Sequence, residues 1–160
     1  ILASKFASQK IKHNLKINFL TLLEKHAEKT KNIKYILLSK LKWAEHFFST
    51  SEYHKTEDLL KELLRNIKQN RKIDKNLRID IYNLSGEMAE AKKDYILAEK
   101  YFQKAYNLLS DKTVQNDRYI VTKNNIWGLK SHDDKNLPKI AAEMEKFLIK
   151  NKKCDCVLNN

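Results

Sequence analysis

At 160 residues the chain has the length of one ordinary domain, enough to bury a core without disulfides or metals. Gly stands only at 86 and 128 and Pro only at 138, while 32% of the residues are charged, a balance that favours helices and argues against a sheet protein. The 32 Lys and Arg against 20 Asp and Glu leave +12, which could attract nucleic acid, anionic lipid or an acidic protein; lysine is spread along the whole chain, so most of this charge reads as solvated helix faces.

In chain order, the first element is an amphipathic helix over 5–28, where Ile11, Leu15, Phe19, Leu22 and Leu23 recur at helical spacing. The chain opens on Ile1 rather than Met, which suggests an upstream portion, and this helix reads as the end of a preceding repeat. Six further helices are predicted at roughly 32–49, 52–69, 75–92, 95–109, 114–131 and 137–151. Ser51, Asp94 and Asn136 are candidate N-caps for the second helix of each pair, and Pro138 falls in a first turn, where its missing N–H is harmless. Cys154 and Cys156 are too close for a disulfide framework and lack a second ligand pair for zinc, so 154–160 reads as a reduced, flexible tail. Reduced thiols fit the cytoplasm best, though an exported domain would look the same. No apolar run approaches the roughly 20 residues that cross a bilayer, and no signal peptide is visible.

Internal periodicity organises the rest. Trp43 and Trp127 lie 84 residues apart, twice 42, and sliding the sequence by 42 aligns Ala44, Gly86 and Gly128 in one small-residue column. The same register aligns Tyr53, Tyr95 and Leu137; Thr56, Ala98 and Ile140; Leu60, Phe102 and Met144; and Leu63, Ala105 and Phe147. A small residue on the first helix of a pair lets the second cross closely, and the aromatic of the second fills the gap. These columns describe core rather than chemistry.

The spacing of Tyr82, Gly86, Ala98, Phe102 and Ala105 resembles the tetratricopeptide repeat, although the period is 42 rather than 34, Thr56 and Ile140 stand where Ala is usual, and no unit ends in the family's proline. The resemblance implies an all-α, right-handed solenoid of antiparallel helix pairs: an N-terminal helix at 1–30, about three repeats over 31–153, then the tail. It also implies a partner groove lined by first-helix residues. The corresponding offsets are Leu38, Leu41, Glu45 and Phe48 in the first unit, Asp80, Asn83, Glu87 and Glu90 in the second, and Thr122, Asn125, Leu129 and His132 in the third. Members that clamp a C-terminal carboxylate use Lys, Arg and Asn at these offsets; the basic residues are missing here. Asn83 and Asn125 occupy equivalent offsets, and an Asn amide can pair with both backbone groups of an extended peptide. Long-repeat relatives from Gram-positive bacteria bind signalling peptides through asparagines in similar places, and the chain looks like such a sensor domain.

The expected partner-binding residues are thus Leu41, Glu45, Phe48, Asn83, Glu87, Asn125 and Leu129. The expected function is a non-catalytic protein- or peptide-binding scaffold, with no catalytic residue, metal or cofactor, because no phosphate loop, nucleophile elbow or paired-histidine motif is present. Nucleic acid ranks behind protein as a partner: the basic stretches Arg65 to Arg78 and Lys150 to Lys153 carry no interleaved aromatics. A structural arm packed on the rest of a longer chain is a third reading. Apolar end faces on an uncapped solenoid leave a homodimer open.

Overall fold

The computed structural model describes residues 2–70, 72–109 and 117–157, and every regular element among them is helical. The order is α1 (Leu2–Thr30), α2 (Ile33–Ser49), α3 (Tyr53–Gln69), α4 (Lys75–Ala91), α5 (Tyr95–Leu108), α6 (Asp117–Lys130), a 3₁₀ turn at Asp134–Asn136, and α7 (Leu137–Val157). The expected start of α6 at 114 lies outside the described residues. α7 runs on to Val157, so the Cys154 to Cys156 stretch continues the helix instead of leaving it as a tail; positions 158–160 lie outside the described residues. Helix positions recur with the sequence period. α2 and α4 are 42 residues apart at both ends, and α3, α5 and α7 begin at 53, 95 and 137.

The caps show how so few glycines suffice. Asn32 accepts from the amide of Lys34 at 2.9 Å to open α2, and Asp74, 42 positions on, accepts from Asn76 at 2.9 Å and Leu77 at 3.2 Å to open α4. Those amides, the Leu77 N–H first, and the nearby Lys34 ammonium hold the Asp74 carboxyl below the usual carboxylate range. Asp94 caps α5 as expected, accepting from Leu97 at 3.1 Å. Ser51 does not cap α3: Glu52 holds that position, and Ser51 instead takes the left-handed conformation, φ 62°, that closes α2. Its N–H reaches the Phe48 carbonyl while that of Glu52 reaches Phe47, the paired bonds of a Schellman turn. Lys93, again 42 residues later, has φ 63° and repeats the pattern, with Lys93 N–H to Glu90 and Asp94 N–H to Ala89. Asn136 caps no helix by its oxygen; its amide nitrogen bonds the Asp133 carboxylate within the 3₁₀ turn region.

The chain divides into two compact units, Ile1–Leu77 and Arg78–Asn160, so the boundary falls inside α4. In the first, α2 packs on α1 and on α3. α3 buries Thr56, Leu60, Leu63 and Ile67, one stripe at helical spacing, and α2 buries Leu37, Leu41 and Ala44. Leu20 and Ala27 are the buried residues of α1. An ion pair between Lys40 and Glu62 ties α2 to α3.

His46 is the unusual member of this core. It is buried on α2 with its Nδ1 lacking a hydrogen-bond partner among the described residues, and the rings of His13, Trp43 and Phe47 stand 5.5 to 5.9 Å away. Burial above all, with Lys16 and His13 adding repulsion against a weaker pull from Glu52, pushes its pKa down. A histidine kept neutral when folded takes up protons more readily when unfolded, so its contribution is intact above about pH 6.5 and is lost as the pH falls through the depressed folded value. The urea midpoint of the chain is expected to drop on acidification from about pH 7 to pH 5, and less so in His46→Leu. Equal slopes in the two proteins would remove His46 as the cause.

The second unit has two clusters. Ala89, Ala98 and Phe102 pack with Leu129 and Ile126 of α6, and Ile79, Ala105 and Leu109 pack with Tyr82, Tyr106 and Tyr119. Gly86 is required by the first: a Cβ there would fall into the Phe102 ring, with Cζ at 2.8 Å. Its counterpart Gly128 is different, because nothing lies within 4 Å of the place a Cβ would occupy. The close crossing expected of the small-residue column holds at Gly86 and fails at Gly128.

Candidate partner-binding surface

The residues expected to line a groove in the second unit are instead joined to one another. α4 and α6 meet through polar rungs: Asp80 accepts both arms of Arg118 at 2.8 Å, Asn83 exchanges two hydrogen bonds with Thr122 at 2.9 and 3.1 Å, Asn125 donates to Glu87 at 2.9 Å, and His132 lies 3.0 Å from Glu90. Successive α4 members sit three or four residues apart, the spacing that keeps side chains on one helix face. Asn83 and Thr122 are buried, and Thr122 is wholly inaccessible. The amide of Asn83 is engaged inside the fold, where an extended peptide does not reach it.

The other expected residues divide in the same way. Leu41 is fully buried in the first unit. Glu45 is half-buried and paired with Lys42 at 2.8 Å, and Phe48 is half-buried with its ring 5.8 Å from that of Tyr53. Glu87 and Asn125 belong to the rungs. Leu129 alone of the seven lines an open groove.

That groove, about 450 Å³, lies in the second unit where the start of α5, the end of α6 and the start of α7 come together. Leu129 and Ile140 give it an apolar floor, Tyr95 and Ile96 one wall, and Lys139 and Glu143 stand opposite. Ile96 is 86% exposed, the most exposed large apolar side chain among the described residues. Tyr95 stacks on His132 at 4.6 Å, so the last polar rung forms one end of the groove. Glu143 is held in its charged form by the Trp127 indole N–H, 3.1 Å away, and by Lys123, Lys130 and Lys139 around it. The rim therefore keeps charges of both signs around apolar ground.

A second opening, about 480 Å³, sits between α6 and α7 beside Gly128, walled by Trp127, Leu137, Ile140, Ala141 and Met144. On its inner side Trp127 meets Phe147 edge to face at 5.2 Å, and the Lys123 ammonium lies 5.2 Å over the indole. Among the described residues no group of His, Cys, Asp and Glu is placed to hold a metal, and no helix is long and apolar enough to cross a membrane.

Sequence reasoning overlooked Ile96 and Lys139. The available signal was Ile96 itself, an isoleucine beside the Tyr53, Tyr95, Leu137 column but outside every buried one. No family model, no curated protein and no solved structure matches the chain.

Proposed function

We propose that the chain is a non-catalytic scaffold of tetratricopeptide-like antiparallel helix pairs that holds a protein or peptide in the groove of the second unit. The observation carrying this reading is the exposed Ile96 beside an apolar floor of Leu129 and Ile140 with charges at the rim. Apolar ground with a few placed polar groups is what a peptide anchor needs, since burial supplies affinity and the rim supplies register. The 42-residue recurrence of helix starts, caps and turn conformations supports a repeat architecture, and repeat proteins use such stacked pairs to present binding surfaces. The rungs between α4 and α6 support a rigid floor: four pairs hold the groove's walls at fixed separation, so little ordering cost falls on binding.

Selection of peptides from a random display library against the intact chain tests the reading. Enriched peptides are expected to share an apolar anchor and to lose at least tenfold in affinity on Ile96→Asp and on Lys139→Glu, while Asn83 stays uninvolved. Peptides that bind both variants as well as the parent would refute the groove. Binding of RNA or DNA that falls steeply with added salt would instead support the nucleic-acid reading, through counterion release to a +12 chain.

A further inference from the structure

Two apolar features of this chain remain in water, and they have the shapes of a knob and a socket. The knob is on α1, where Leu15, Phe19 and Leu22 are 62%, 61% and 65% exposed. Their spacing of four and three residues places them in one stripe, on the side of the helix away from buried Leu20 and Ala27. The socket is the cleft beside Gly128.

What the socket accommodates can be read from the preceding helix pair. There the Phe102 ring lies directly against Gly86, and the missing Cβ makes the room for it. One period later Met144 takes the place of Phe102, but it is 42% exposed and leaves Gly128 with no neighbour within 4 Å. The third pair thus repeats the glycine half of a glycine–phenyl contact and lacks the phenyl half. A benzyl side chain from outside would continue the packing that α4 and α5 already make. Phe19 is the most exposed phenylalanine among the described residues, with a leucine on either side to cover the Leu137 and Met144 walls.

We propose that α1 of one copy of this chain docks in the α6–α7 cleft of a second copy, Phe19 against Gly128. A second copy is the occupant that covers both exposed features at once; a foreign helix would cover the cleft and leave the α1 stripe in water. Because knob and socket are different surfaces, the contact is heterologous, and each added copy offers a fresh knob and a fresh socket. The charge of +12 opposes the approach of two copies, so salt, by screening it, strengthens the association. The cleft is separate from the Ile96 wall, and this inference stands or falls independently of the peptide groove.

Sedimentation velocity over a concentration series, at low and high salt, tests the proposal with two variants that each spoil one surface. Phe19→Glu puts a charge on the knob at an exposed position, and Gly128→Leu fills the socket where a side chain meets nothing. The parent chain is expected to grow beyond a dimer as concentration or salt rises, and each variant alone to stay monomeric. An equimolar mixture of the two variants is expected to form a dimer and stop there, because only one intact knob and one intact socket remain. Leu15→Glu, with a helical circular dichroism spectrum matching the parent, should reproduce Phe19→Glu. A parent chain that stays monomeric throughout, a Gly128→Leu protein that associates like the parent, or a mixture that stays monomeric would each overturn the proposal.

Discussion

Gly86→Ala is expected to destabilise the chain and Gly128→Ala to stabilise it, although the two positions are equivalent in the 42-residue register. At Gly86 the added methyl meets the ring of Phe102, which is completely buried among Ala89, Ala98 and Leu129 and has nowhere to turn. Overpacking of that kind costs about 1–3 kcal/mol, against about 1 kcal/mol gained by removing glycine from a helix interior. The net expectation is a loss of about 1–2 kcal/mol. At Gly128 the clash is absent and the helix gain of up to about 1 kcal/mol remains. The two melting temperatures should differ by roughly 5–10 °C in a chain of this size. Equal shifts in a thermal scan would mean that the Phe102 ring yields freely, and the close packing of α4 on α5 would have to be abandoned.

The second large effect belongs to the buried rung. Asn83→Ala leaves the Thr122 hydroxyl, fully inaccessible, without the partner it has in the native fold. An orphaned buried polar group costs about 1–3 kcal/mol. Replacing both partners by apolar residues removes the orphan, so Asn83→Leu with Thr122→Val should be less destabilised than the sum of the single changes by about 1–2 kcal/mol. Urea titration of the four proteins closes the cycle. The same experiment separates two roles for Asn83: a side chain reserved for a ligand would leave stability untouched on truncation, and additive effects in the cycle would favour that role over the rung.

Helix positions were legible in the sequence because they depend on local physics that repeats. The 42-residue register, the scarcity of Gly and Pro, and the stripe of Thr56, Leu60, Leu63 and Ile67 place α2 to α5 to within a few residues. The cap at Asp94 was readable for the same reason, as was Gly86 facing Phe102. Asn32 and Asp74, caps separated by one period, were equally available and were overlooked. Pairing across helices was less accessible. Nothing local distinguishes an asparagine that faces solvent from one that meets a threonine 39 positions later, and Asn83 became a candidate ligand residue because offset alone cannot show who occupies its amide. Gly128 failed in the other direction. A column of small residues signals close approach only if the opposing side chain arrives, and Met144 does not reach as Phe102 does.

The turns carry a consequence for the state the chain folds from. Lys31, Ser51 and Lys93 all hold positive φ, between 51° and 63°, where most chains would place glycine. A side chain in that region costs the folded state about 1 kcal/mol, met here by the paired hydrogen bonds of each closure. Glycine would relax the folded turn but multiply the backbone shapes open to the denatured chain. By keeping side chains at its hinges, the protein enters folding with a narrower conformational search, and the strain of each turn is offset by entropy never acquired.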